Sequence, residues 1–156
     1  MKRTFSALLL CAPFLLASSA TLAKNINDNP QSYGLWQYKG GEVLITAKGF
    51  EEYGNIAAKC RDKKQGYRHE VQSINGGKLL ADLVTSQQKF YDDRAYQRDS
   101  KKWPELIDKD KNYPRLVLSH SCTEGEIAFV QINDDTGFYS LKVKDEYFSL
   151  AKKKAQ

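Results

Sequence analysis

Residues 115–143 read RLVLSHSCTEGEIAFVQINDDTGFYSLKV, and the fold follows from how this stretch divides. Three apolar-bearing runs, 115–121, 126–132 and 138–143, the last two rich in β-branched and aromatic residues, are separated by Thr123-Glu124-Gly125 and by Asn133-Asp134-Asp135-Thr136-Gly137. Gly, Asn and Asp adopt the turn conformations that bulky residues resist, so the pattern predicts an antiparallel meander of three strands. Tyr147-Phe148-Ser149-Leu150, following Lys144-Asp145-Glu146, predicts a fourth, short edge strand.

Upstream of the meander the apolar period lengthens. Leu79, Leu80, Leu83, Val84, Phe90 and Tyr91 fall on one stripe at helical spacing, with Lys78, Asp82, Lys89 and Asp92 outside it. This predicts one long helix over 78–97, announced by Asn75-Gly76-Gly77. Pro104 suits the first turn of a brief helix over 104–107. Phe50, Tyr53, Ile56, Ala57 and Cys60 predict another short helix, closed by Gly66, while 67–74 fits either a helical turn or extended chain. Residues 35–39 and 42–47 are β-rich and flank Gly40-Gly41, which predicts a hairpin. The order hairpin, helices, meander gives an α+β domain. Its antiparallel sheet combines the N-terminal hairpin with a C-terminal three- to four-stranded meander, packed by one long helix and one or two shorter ones.

The first residues form an address label. Lys2 and Arg3 precede an apolar run over 7–17, and Thr21-Leu22-Ala23 offers a small-residue cleavage site, so 1–23 is expected to be a cleaved signal peptide. As a helix that run rises about 16 Å, against a hydrocarbon layer of about 30 Å, so no membrane span is expected. The expected location is the periplasm of a Gram-negative bacterium, with an extracellular destination as the alternative. The rest divides into a flexible leader over 24–32, a single globular domain over 33–151 and a basic tail over 152–156 containing Lys152-Lys153-Lys154.

Composition bounds the function classes. The 156 residues are 41% hydrophobic and 28% charged, with 9 Tyr, 7 Phe and 2 Trp, enough apolar surface to build a core and exclude disorder. Loss of Lys2 and Arg3 with the leader takes the formal charge from +5 to +3, interspersed along the chain, so no nucleic-acid partner is expected.

With Cys11 in the leader, Cys60 and Cys122 remain as a pair, which in an oxidising compartment reads as one disulfide. Those cysteines and the two histidines, His69 and His120, match no zinc spacing, and no metal or other cofactor is expected. His120 lies between Ser119 and Ser121, the residue types of a base and its nucleophile. Strand alternation sets them apart, with Leu116, Leu118, His120 and Cys122 on one face and both serines on the other.

The polar-flanked aromatics Tyr33, Trp36, Tyr38, Trp103, Tyr113, Tyr139 and Tyr147 exceed the needs of so small a core; such residues anchor protein interfaces, and Trp36, Tyr38, Trp103, Tyr113 and Tyr139 are the candidate interface. The expected function is that of an exported, non-enzymatic protein that binds another protein, as an inhibitor, an immunity factor or an envelope adaptor. The alternatives are a small periplasmic hydrolase using His120 as base, and a small-ligand-binding module with an apolar cavity between helix and sheet. The residues leave the oligomeric state open.

Overall fold

Runs of β-branched and aromatic residues broken by Gly, Asn and Asp produce a largely antiparallel sheet. The computed structural model describes residues 30–47, 49–52, 68–119 and 126–155. Its strands are β1 (Gly34–Tyr38), β2 (Gly41–Thr46), β3 (Gly49–Glu52), β4 (Arg68–Asn75), β5 (Asn112–Ser119), β6 (Glu126–Gln131), β7 (Thr136–Lys142) and β8 (Glu146–Lys153). They form one sheet in the order β3-β2-β1-β8-β7-β6-β5-β4, curled into a half-barrel. Two helices complete an α+β architecture, α1 (Gly76–Lys89) and α2 (Arg94–Ser100), with 3-10 turns at Pro30–Ser32 and Trp103–Leu106.

The first and last strands of this order in the chain meet. Trp36 pairs with Lys153 and Tyr38 with Ala151, so β8 joins the N-terminal strands to the C-terminal ones. Tyr38 also pairs with Gly41, which makes Lys39-Gly40 the two-residue turn, one position earlier than the double glycine suggests. Gly40 has φ +116°, the positive value such a turn needs.

Three expectations are corrected and one open alternative is settled. Phe50 starts no helix but lies on β3, opposite Ile45, because the chain folds straight back along β2. The rest of that expected helix lies outside the described residues. The ambiguous stretch before Asn75 is extended as β4, paired with β5 along its whole length. The expected long helix is broken at 90–93. Asp93 caps a second helix by accepting from the Tyr96 backbone N–H at 2.9 Å, and the reversal brings the Tyr96 hydroxyl to Ser86 Oγ at 2.6 Å. Val84 and Tyr91, assigned to the apolar stripe, are 44% and 68% exposed. Finally, Lys152 and Lys153 belong to β8 rather than to a tail. Lys153 Nζ stands 5.5 Å from the Trp36 ring, and Lys154 pairs with Glu42.

Two apolar clusters cover the two faces. Trp36, Val43, Ile45, Val71, Leu116, Leu118, Ile127, Phe129, Tyr139 and Ala151 pack on the face away from the helices. Leu79, Leu83, Tyr96, Trp103 and Ile107 pack against Ile74, Tyr113, Val130, Phe138 and Phe148 on the other. The central strands β6 and β7 are therefore buried on both faces along most of their length, which explains their nearly continuous apolar runs. Trp36 Nε1 donates to the Ser32 carbonyl at 2.8 Å, tying the end of the expected flexible leader to the core. No helix among the described residues is long and apolar enough to cross a membrane. The expected signal peptide, Cys60, His120 and Cys122 all lie outside the described residues.

Candidate binding site

Antiparallel pairing gives the sheet two ends. At the lower end β4, β6 and β8 finish while β1, β5 and β7 begin. At the upper end lie the Lys39-Gly40 turn, Arg68, Ser119 and Glu126.

A cleft of about 530 Å³ opens at the lower end. One wall comes from Val71, Gln72 and Ser73 at the end of β4 and from Asn112, Tyr113 and Pro114 at the start of β5. The opposite wall comes from Gln131, Ile132, Asn133 and Asp134 where β6 turns into β7, with Gln31 beside them. Lys111 completes the rim.

Internal hydrogen bonds hold both walls. The loop before β5 docks on the start of α1, where Gly76 N–H donates to the Lys111 carbonyl at 2.8 Å and Gly77 N–H to that of Lys109 at 2.9 Å. These are first-turn amides with no partner inside the helix. The approach is close enough that a Cβ on residue 76 would stand 2.0 Å from the Asp108 carbonyl oxygen. Tyr113, 3% exposed, accepts from Asp108 N–H at 2.8 Å through its hydroxyl. Across the cleft, Asn133 Oδ1 accepts from the backbone N–H groups of Asp135 at 3.2 Å and Thr136 at 2.9 Å, forming an Asx turn. Asp135 is held below the usual carboxylate range by the Thr136 hydroxyl it accepts from and by the nearby Lys152 ammonium.

The lining is rich in side-chain amides, from Gln31, Gln72, Asn112, Gln131 and Asn133, and only Lys111 and Asp134 in it carry charge. Each amide both donates and accepts, as a peptide group does. Such a surface can give and receive hydrogen bonds along both walls. Among the described residues no group of three His, Cys, Asp or Glu side chains is placed to hold a metal ion.

A second polar feature lies on the helix-bearing face. Arg115 donates to Gln72 Oε1 at 2.9 Å, pairs with Glu126, and stands 3.6 Å from Glu146, while Gln72 donates to Glu70 at 3.2 Å. The guanidinium is 14% exposed and its partners come from β4, β6 and β8. This network stitches strands together.

Of the aromatics expected at an interface, Trp36, Trp103, Tyr113 and Tyr139 are buried, at 0%, 6%, 3% and 3% exposure. Tyr38 is half-buried, stacked on Tyr139 with ring centroids 3.9 Å apart. They divide between the two clusters, because both faces of the sheet are covered and polar neighbours in the chain do not imply an open surface. Only Tyr113 reaches the cleft. The amides that line it carry no motif; their one sequence signal is the Asn133-to-Gly137 turn, read as a turn and no more. Comparison with known proteins returned no match from any family model, curated protein or solved structure.

Proposed function

We propose that this chain is exported, closed by a Cys60–Cys122 disulfide, and binds a protein partner non-enzymatically through the lower cleft, as an inhibitor, immunity factor or envelope adaptor does. The amide-rich lining carries the reading: Gln31 and Asn112 are exposed and bring amide donors and acceptors to the cleft, Gln72 and Asn133 are bonded within the fold and hold its walls, and just one cation and one anion stand at the rim. The disulfide draws support from strand register. Arg68, Ser119 and Glu126 are partners across β4, β5 and β6, so the segments 53–67 and 120–125 that hold the cysteines both attach at the upper end. A partner seated below would leave that crosslink undisturbed.

The test uses residues 24–156 immobilised and exposed to envelope extract. A stoichiometric protein should be retained, and Ser73→Arg, which projects a long cation into the cleft from an exposed position, should abolish its retention. Absence of a stoichiometric partner, or retention that Ser73→Arg leaves intact, would overturn the proposal.

A further inference from the structure

Asn75-Gly76 is the one Asn–Gly bond in the chain. In such a pair the glycine amide nitrogen can attack the asparagine side-chain carbonyl carbon, because no Cβ stands beside the nitrogen to hinder it. The Gly76 N–H gives its proton to a base and a bond forms between that nitrogen and Asn75 Cγ. The proton returns with Nδ2, which leaves as ammonia. Water then opens the five-membered imide at one carbonyl or the other, giving aspartate or isoaspartate. Water is consumed and ammonia released, and nothing else enters the balance.

The fold holds the reacting atoms apart. Asn75 is exposed, so base and water reach it, whereas Gly76 is buried. The Gly76 N–H donates to the Lys111 carbonyl at 2.8 Å, which keeps its proton in place and aims the nitrogen at the loop before β5. Asn75 Oδ1 is held by the Gly77 N–H at 3.0 Å. The Asn75 backbone is extended, with ψ 141°, and this turns the Gly76 nitrogen out of the plane that the imide ring needs. Rotation of that peptide is opposed on one side by the pairing of Asn75 with Asn112, and on the other by the 108–111 loop. The loop is itself fixed, because Gly77 N–H donates to the Lys109 carbonyl at 2.9 Å, Asp108 N–H to the Tyr113 hydroxyl at 2.8 Å and Asp110 N–H to Asp108 Oδ1 at 3.0 Å.

We propose that Asn75 is a site of spontaneous deamidation latched by the 108–111 loop: the docked loop blocks imide formation and undocking starts it. The two products differ in consequence. Aspartate still caps α1. Isoaspartate adds a methylene to the main chain between β4 and α1 and displaces the cap. The site therefore accumulates a covalent mark of the time spent with the loop open. That loop carries Lys111 and runs into Asn112, both in the lining of the lower cleft, so the mark reads the state of that wall whatever the cleft binds.

The test follows the native protein in mildly alkaline buffer, with the peptide containing residue 75 separated by chromatography into its Asn, Asp and isoaspartyl forms. A parallel sample is held unfolded in urea. Conversion in the native protein should be slower by about tenfold or more, which corresponds to an opening cost of at least about 1.4 kcal/mol. Tyr113→Phe removes the hydroxyl that holds Asp108, and Asp108→Ala, at an exposed position, removes the acceptor of Asp110 N–H. Each should raise the native rate about two- to ten-fold, the span of one lost hydrogen bond. Neither should change the rate in urea, since the residues around Asn75 are the same. Hydrogen exchange at the buried Phe129 amide should stay slow in both variants. Equal rates in buffer and in urea, or a native rate that neither variant moves, would overturn the proposal. So would an acceleration that tracks lost protection at Phe129, which would assign the reaction to global unfolding.

Discussion

Ser86 and Tyr96 show how a single contact redirects the chain. Their hydroxyls meet at 2.6 Å in the core, and this contact requires α1 to stop so that α2 can return over it. Removing one partner leaves the other buried and unsatisfied, so Tyr96→Phe is expected to cost about 1–3 kcal/mol, measured as a lower urea midpoint. Tyr96 and Tyr147 are also both held above the ordinary phenol value of 10.0, chiefly by burial. The fold thus favours their neutral forms. That contribution is complete below the ordinary value and disappears as pH rises through the raised ones. The urea midpoint should fall above about pH 10, and fall less steeply in Tyr96→Phe. A midpoint with the same alkaline slope in both proteins would show that Tyr96 is not responsible. None of this is visible in residue order, since Ser86 looks like a polar interruption of the stripe and Tyr96 like its exposed end.

At the scale of elements, legibility depended on whether local or distant residues set the boundary. The start of α1 falls at Gly76, two residues before the expected 78 and inside Asn75-Gly76-Gly77, because Asn75 Oδ1 caps the helix locally, accepting from Gly77 N–H at 3.0 Å. Asn133 likewise builds its turn from its own neighbours. The strand β3 is too short for its period to be told from a helix, and the break after α1 is set by Tyr96 meeting Ser86 across the turn. Gly76 joins the two kinds of cause. Helix propensity alone favours alanine there by about 1 kcal/mol. The Asp108 carbonyl, 2.0 Å from the new Cβ, must instead be displaced, taking with it the two bonds from Lys109 and Lys111 that cover the helix start. Gly76→Ala is therefore expected to destabilise by about 1–3 kcal/mol, with exchange protection lost first at residues 76 and 77. A stabilised variant would mean that the 108–111 loop yields without loss.

Across the whole molecule, the α+β class was legible because alternation and turn chemistry are local, whereas sheet order was not. β3 and β4 follow one another in the chain yet occupy opposite edges of the sheet. The candidate site shared that obscurity, because its amides come from four separate places in the chain. The proposed disulfide belongs to this scale. Closing a loop of about 62 residues contributes roughly 4 kcal/mol in the chain-entropy account. Intact-mass analysis of native material should find residues 24–156 two hydrogen atoms lighter than the reduced chain, and reduction should lower the midpoint of thermal unfolding. Two free thiols in the native protein would remove the crosslink.

The seam between β1 and β8 governs timing as well as shape. One edge of β1 is paired at once by β2, but its other edge finds its partner only near position 152, so the sheet cannot be completed while the ribosome is still short of that point. Such distant pairing makes for a slow search and a sheet that stays open in the nascent polypeptide until position 152 has been made. If the chain is exported as proposed, a translocation channel that accepts only unfolded substrates would receive it before that seam can close.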